Sequence, residues 1–219
     1  MHSKAPELTG EPIRFDVLQA ADVEPMIHLI ARAFSTAEPP AVAMGLSTAD
    51  LTEFLRMLAP RAVADELTVL ARSLADGRIV GALLTDDFAV PPPLEIERLS
   101  PRFLPIIAIL ESLDEPYRRE STMRPGDYLH LFMLAVDPQF GGRGIAQGLV
   151  ASCLENGKRK GYRRAVTEAT GVVSQQVFRK LGFEERLRIR YRDFRYGGEA
   201  VFASITEHDG VALMDRRLE

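Results

Sequence analysis

Gly141, Gly142 and Gly144 crowd together around Arg143. Before them runs an apolar stretch through Leu134, Ala135 and Val136, which Asp137-Pro138 stops. After them Ile145 and Ala146 open an amphipathic stretch that continues to Lys160. This order predicts a strand, a loop and a helix. Glycine lets backbone approach a ligand closely. The first N–H groups of a helix have no partner inside it, and the helix dipole adds partial positive charge there. Together they suit a phosphate, and Arg143 adds a full charge. A plain turn uses the same glycines, so the loop alone leaves both readings open.

A second segment, Thr170 to Phe183, carries Val173, Val177 and Leu181 at helical spacing, with Gly182 as a stop. The two segments, in this order, resemble the coenzyme-binding signatures of the GCN5-related N-acetyltransferases (GNAT). The loop matches that pattern at Gly144 and Ala146 but has Gly141 where the family usually has Gln or Arg. The resemblance is strong over residues 128–205 and looser before them. It implies a single α/β domain with a mixed, mostly antiparallel central sheet flanked by helices. It also implies acetyl-CoA as co-substrate, with no metal. The coenzyme would meet the backbone of Leu134, Ala135 and Val136, where the strand splays from its neighbour. It would also meet the loop residues Gly141, Gly142, Arg143, Gly144, Ile145 and Ala146, and then Thr170, Ser174, Phe178 and Lys180. Arg179 is either a phosphate contact or a solvated charge.

Acetyl transfer to an amine needs a base, because a lysine-like ammonium has a pKa of about 10.4. It needs a donor for the developing oxyanion. The departing thiolate, with a thiol pKa near 8.5, leaves fairly well unprotonated, so a dedicated acid is optional. Glu38, in Phe34-Ser-Thr-Ala-Glu-Pro-Pro40, is the first candidate base. This segment resembles the Phe-x-x-x-Glu-Pro of insect-type arylalkylamine N-acetyltransferases, whose glutamate acts as base. The alternative is a solvated loop carboxylate. His130 is the second candidate. Strand alternation places it on one face with Phe132 and Leu134, as a proton relay or a satisfied core residue. Phe178 stands where many family members have a tyrosine acid. Ser174 is the candidate that replaces it, with Thr170 a hydroxyl neighbour or a helix N-cap. Tyr128, Tyr191 and Tyr196 remain open as acids. Cys153 has no neighbouring base in sequence and is not a nucleophile candidate.

The elements that must position these groups are legible to different degrees. Residues 13–18 alternate as a strand, and Asp22 to Phe34 reads as a helix. A helix from Thr48 is expected to end at Pro60. Leu67–Leu74 and Arg78–Thr85 read as strands joined at Asp76-Gly77. Residues 86–127 are irregular, with a buried helix over Phe103–Leu113 and a polar, flexible stretch from Arg118 to Asp127. They form either a cover on the substrate side or a plain connector. A strand at 128–136, a helix at 144–160, a strand at 163–169 and a short helix at 172–181 follow. A terminal hairpin is expected from 184–196 and 199–206, with a homodimer through it left open.

The chain has 219 residues, 46% of them hydrophobic, which suits one domain spanning 1–219 with a flexible stretch at 1–10. A net charge of -4 gives no footprint for nucleic acid or an anionic membrane. The single cysteine excludes an internal disulfide and a multi-cysteine metal site. No apolar run approaches about 18 residues, so no membrane span is expected, and the N-terminus lacks a secretory pattern. A cytoplasmic enzyme acting on a small-molecule amine is the expectation. Its rivals are a protein or peptide N-acetyltransferase and a non-catalytic coenzyme A-binding module.

Overall fold

The computed structural model describes residues 11–120 and 122–218; residues 1–10, expected to be a flexible tail, lie outside them. Among the described residues, seven strands share one sheet in the order β1-β2-β3-β4-β5-β7-β6. The strands are β1 (Ile13–Val17), β2 (Val69–Ser73), β3 (Ile79–Asp87), β4 (Tyr128–Val136), β5 (Arg164–Ala169), β6 (Glu184–Arg190) and β7 (Gly210–Arg217). Only β4 and β5 pair in parallel; the other pairs are antiparallel. This is the mixed, mostly antiparallel α/β sheet that was expected.

Helices α1 (Val23–Ala37) and α3 (Thr48–Asp65) bury Ile27, Ile30, Leu55 and Leu58 in one core with Met133 and Ala135 of β4. Helix α5 (Ile145–Arg159) buries Ile145, Leu149 and Val150 in a second core with Leu129 and Leu131. Two glycines seat α5 against the sheet. A Cβ on Gly148 would stand 2.2 Å from Cζ of Phe15, and one on Gly157 would stand 2.6 Å from Cδ2 of Leu129. Helix α4 (Leu104–Arg119) packs on β6 and β7, with Ile109 and Leu113 in a third core beside Val211 and Leu213. A short α2 (Pro39–Ala43) follows α1, and α6 (Val172–Lys180) follows β5.

Four expectations need correction. Pro60 does not end α3, which runs on to Asp65. The proline faces solvent, where water can meet the freed carbonyl, while Ala59 and Ala62 stay buried on either side. The stretch expected to be flexible from Arg118 begins inside α4, because Tyr117 is buried and hydrogen-bonded to Asp215. The last strand is β7, not 199–206. Residues 191–209 make a long excursion in which Tyr196 and Glu199 form an isolated bridge across Gly197-Gly198 and the Tyr191 N–H bonds the Asp209 carbonyl at its base. Its Tyr191 and Phe202 are fully buried in the third core, so burial, not a ladder, holds the excursion. Finally, β4 carries a bulge. Leu84 pairs with Met133 and Thr85 with Leu131, leaving Phe132 unpaired. The bulge reverses the alternation. Phe132 and Met133 both face the α1 core, while Leu134 and Val136 turn to the α5 core. Leu134 therefore does not share a face with His130.

Candidate active site

The β4–β5 ladder covers only Tyr128–His130 against Arg164–Val166. Past it the two strands part, with the Thr167 hydroxyl donating to the Leu131 carbonyl at 2.8 Å across the fork. Strand β4 continues past this point to Val136, with backbone groups on its β5 side free for another partner. The loop begins where Asp137 caps the turn Pro138–Phe140, accepting from the Gln139 N–H at 2.9 Å. Gly142 (φ 73°) and Gly144 (φ 80°) take left-handed conformations that a side chain strains. Among the described residues, the first N–H in α5 with a protein acceptor is that of Gly148, which bonds Gly144 O at 2.9 Å. Among the described residues the N–H groups of residues 142–147 have no protein acceptor, and so form a row of donors at a helix N-terminus. The Arg143 guanidinium rests 4.8 Å from the Phe140 ring centroid, at the edge of that row.

Glu38 turns the chain from α1 into α2. Its carboxylate accepts the Ala41 N–H at 2.6 Å and caps α2. The residue keeps some open surface, but protein encloses the carboxyl. That burial raises its pKa to about 7, against the opposing pull of the Ala41 N–H and the Thr170 hydroxyl. Thr170 is therefore not the cap of α6; Gly171 is. The Ser174 hydroxyl donates to the Gly171 carbonyl at 2.9 Å and accepts the Gly171 N–H at 3.3 Å. Tyr191 donates its hydroxyl to the Thr170 carbonyl at 2.7 Å, and burial pushes the phenol pKa up. His208, which no sequence motif marked, accepts the Val172 N–H through Nδ1 at 3.3 Å. A Cβ built on Gly171 would meet Pro39, Ser174 and His208 within 3.9 Å. The α1–α2 corner, the head of α6 and the end of the 191–209 excursion thus converge on one glycine.

His130 lies on the other side of the fork. Its Nδ1 is 2.9 Å from Asp86 and its Nε2 is 2.7 Å from Glu168. Burial alone would lower its pKa, but Glu168 and Asp86 outweigh that and raise it well above the usual histidine value. A carboxylate oxygen at each ring nitrogen favours the imidazolium form, in which both N–H groups are committed. Rings of Phe88 and Phe132 flank it at 5.2 Å.

Residues 46–183 match the model of the acetyltransferase (GNAT) family, a match that takes in the fork, the loop and α6. The chain belongs to this family. Solved structures give the same fold. The C-terminal condensation domain of Ebony, solved with β-alanyl-dopamine, superposes with a TM-score of 0.87 at 16% identity over 95% of this chain and 100% of that one. Arylalkylamine N-acetyltransferase 2 from Aedes aegypti gives 0.79 at 23% identity, over 94% and 99%. The Drosophila melanogaster polyamine N-acetyltransferase that forms N-acetylagmatine gives 0.77 at 21%, over 94% and 100%.

The remaining residues of this acetyltransferase sort by surroundings. Phe178 is buried and meets Phe183 edge-on at 5.1 Å. Arg179 is tied to Glu185 at 2.9 Å, whereas Lys180 is exposed and forms no ion pair among the described residues. Val173 shares the helical spacing of Val177 and Leu181 but is 72% exposed, whereas Val177 is buried. Burial pushes the Cys153 thiol up to about 12, so it stays protonated and inert. Tyr196 is exposed on the excursion, and Tyr128 packs edge-on to Tyr117. His208 escaped the sequence reading because only the tertiary fold carries it from beyond β6 to the head of α6.

Proposed function

We propose that this protein transfers the acetyl group of acetyl-CoA to a primary amine of a small molecule, by direct attack in a ternary complex. The observation that carries the reading is the unpartnered N–H row of residues 142–147 beside the strand fork. It suits a pyrophosphate at the loop and an extended arm along Leu134–Val136. Ala135 and Arg143 lie along the same path, and Lys180 is an exposed cation on α6 with no ion pair among the described residues. Bound acetyl-CoA supplies the activated acyl group on a thiol leaving group.

Glu38 takes the proton from the ammonium. A carboxylate with a pKa about 7 is half ionised near neutrality and still basic enough to work there. Thr170 favours its charged form. Ser174 shapes the head of α6 beside it, with its hydroxyl proton held by Gly171. N–H groups of β4 beyond the bulge supply the oxyanion donor. Phe178 has no proton to give, so the thiol leaves as thiolate and takes its proton afterwards. The convergence of Pro39 and His208 on Gly171 favours a small amine over a peptide lying between those loops. The single thiol, buried and unreactive, accords with a cytoplasmic setting.

Purified protein, acetyl-CoA and a panel of arylalkylamines, polyamines, amino acids and lysine peptides test this through thiol release. Release with one small-amine class supports the reading. Release with peptides alone moves the assignment to a peptide N-acetyltransferase. Calorimetric binding of acetyl-CoA without release from any amine would leave a coenzyme-binding module.

A further inference from the structure

Four titratable side chains from four elements meet beneath the fork: Asp86 of β3, His130 of β4, Glu168 of β5 and Asp114 of α4. The His130 contacts use one oxygen of Glu168 and one of Asp86. Asp114 Oδ1 and Glu168 Oε1 are buried without a conventional hydrogen-bond partner. The Glu168 side chain is only 3% exposed. Two such oxygens in neighbouring carboxyl groups satisfy each other only if one proton lies between them, since two carboxylates have no donor. His130 holds Glu168 as an anion, so the proton belongs to Asp114. Burial, and then the Glu168 charge, raise Asp114 to about 9, while His130 and Arg118 oppose. Glu168 is held below its usual value, burial being outweighed by the His130 charge and by bonds from His130 and Asp114.

We propose that Asp114 is a positioning residue for acetyl transfer: its carboxyl proton bonds Glu168, and Glu168 in turn fixes the His130 imidazolium where β4 and β5 part. This rests on the acetyltransferase reading above. Glu168 lies near the end of β5, one residue before its last residue Ala169, and Thr170 follows directly, so the chain Asp114–Glu168–His130 links α4 to the strand that leads into the Glu38 partner. Loss of the Asp114 proton sets two buried anions side by side, parts α4 from β5 and frees His130 to move. The charged groups that face Asp114 are Glu168, His130 and, beyond it, Asp86; on its own helix it has Arg118. On β7 and β6, which pack against α4, Asp215 and Arg186 are tied to each other and, through Asp215, to Arg164 and Tyr117.

The test uses Asp114→Asn, which keeps a neutral donor at every pH, and Asp114→Leu, which keeps none. In the full chain, the imidazole nitrogen signals of His130, assigned by their loss in His130→Gln, are followed from pH 6 to 10. Wild type should show an inflection near the Asp114 titration at about 9. Asp114→Asn should abolish it while the imidazolium persists. With an amine that releases thiol, Asp114→Leu should lose kcat on the order of a hundredfold, the cost of misplacing groups by about an ångström. Asp114→Asn should restore kcat close to wild type and remove the alkaline fall that follows Asp114. No inflection in wild type, or Asn as impaired as Leu, would overturn the proposal. If no amine releases thiol, the positioning role falls with the reaction. The inflection then still reports whether the shared proton exists, so the two failures are told apart.

Discussion

Thr170, at the exit of β5, lies against Glu38, at the head of α2, and its hydroxyl favours the carboxylate form. Residues far apart in the chain thus share one proton-accepting site, and the pH dependence of activity should report it. Because burial lifts Glu38 to about 7, the base becomes competent as pH rises through that value. The ratio kcat/KM should therefore climb around pH 7. Glu38→Gln should lower kcat by roughly a hundredfold or more, the usual contribution of a general base. Its residual rate should rise only in the alkaline range, where free amine is abundant. Rates across pH 6 to 10 check this, and an unshifted rise in the variant would remove Glu38 from the mechanism.

The N–H row makes a different prediction. Gly144 sits at φ 80° as the cap of α5. Alanine there strains the left-handed turn by roughly 1–2 kcal/mol and tilts the donors of residues 144–147. Gly144→Ala should weaken coenzyme A binding by about tenfold, measured by calorimetry, with kcat at saturation less affected. An unchanged Kd would mean that the loop is only a turn.

Much of this arrangement was readable in advance. Gly142, Gly144 and the apolar run before Asp137 announce the loop by local conformation alone, and local conformation survives in sequence. Glu38 is marked as a candidate base by the resemblance of its segment, from Phe34 to Pro39, to a known Phe-x-x-x-Glu-Pro. What stayed hidden depends on contacts between distant segments. The Phe132 bulge is a pairing event with β3, invisible in the alternation of β4 itself. His208 and Asp114 reach the site only because β7 inserts between β5 and β6 and α4 folds back over β6 and β7. Pro60 misled for the opposite reason: a local breaking rule yielded to the burial of one helix face.

Gly148 offers a stability prediction independent of function. An alanine Cβ would stand 2.2 Å from Phe15 Cζ, so the ring must move or α5 must lift. Overpacking of this kind costs roughly 1–3 kcal/mol. Gly148→Ala should lower Tm, and Phe15→Leu should relieve part of the loss in the double variant. A coupling energy near zero in that cycle would mean that the ring swings away freely.

The shared proton of Asp114 and Glu168 also sets a slope in stability against pH. In the unfolded chain Asp114 ionises near 3.8, and in the folded chain it holds its proton to about 9. Between those values the folded state binds the extra proton, so this group's contribution to stability falls as pH rises. Asparagine has no such proton to hold. The stability gap between Asp114→Asn and wild type should therefore widen in favour of the variant from about pH 4 upward and level off near 9. By pH 8 the gap should reach roughly 1–3 kcal/mol once relaxation of the buried pair is allowed for. Urea melts at pH 5, 6.5 and 8 measure it. A gap that stays constant across that range would mean that Asp114 titrates as an ordinary carboxyl and that the two unpartnered oxygens do not share a proton.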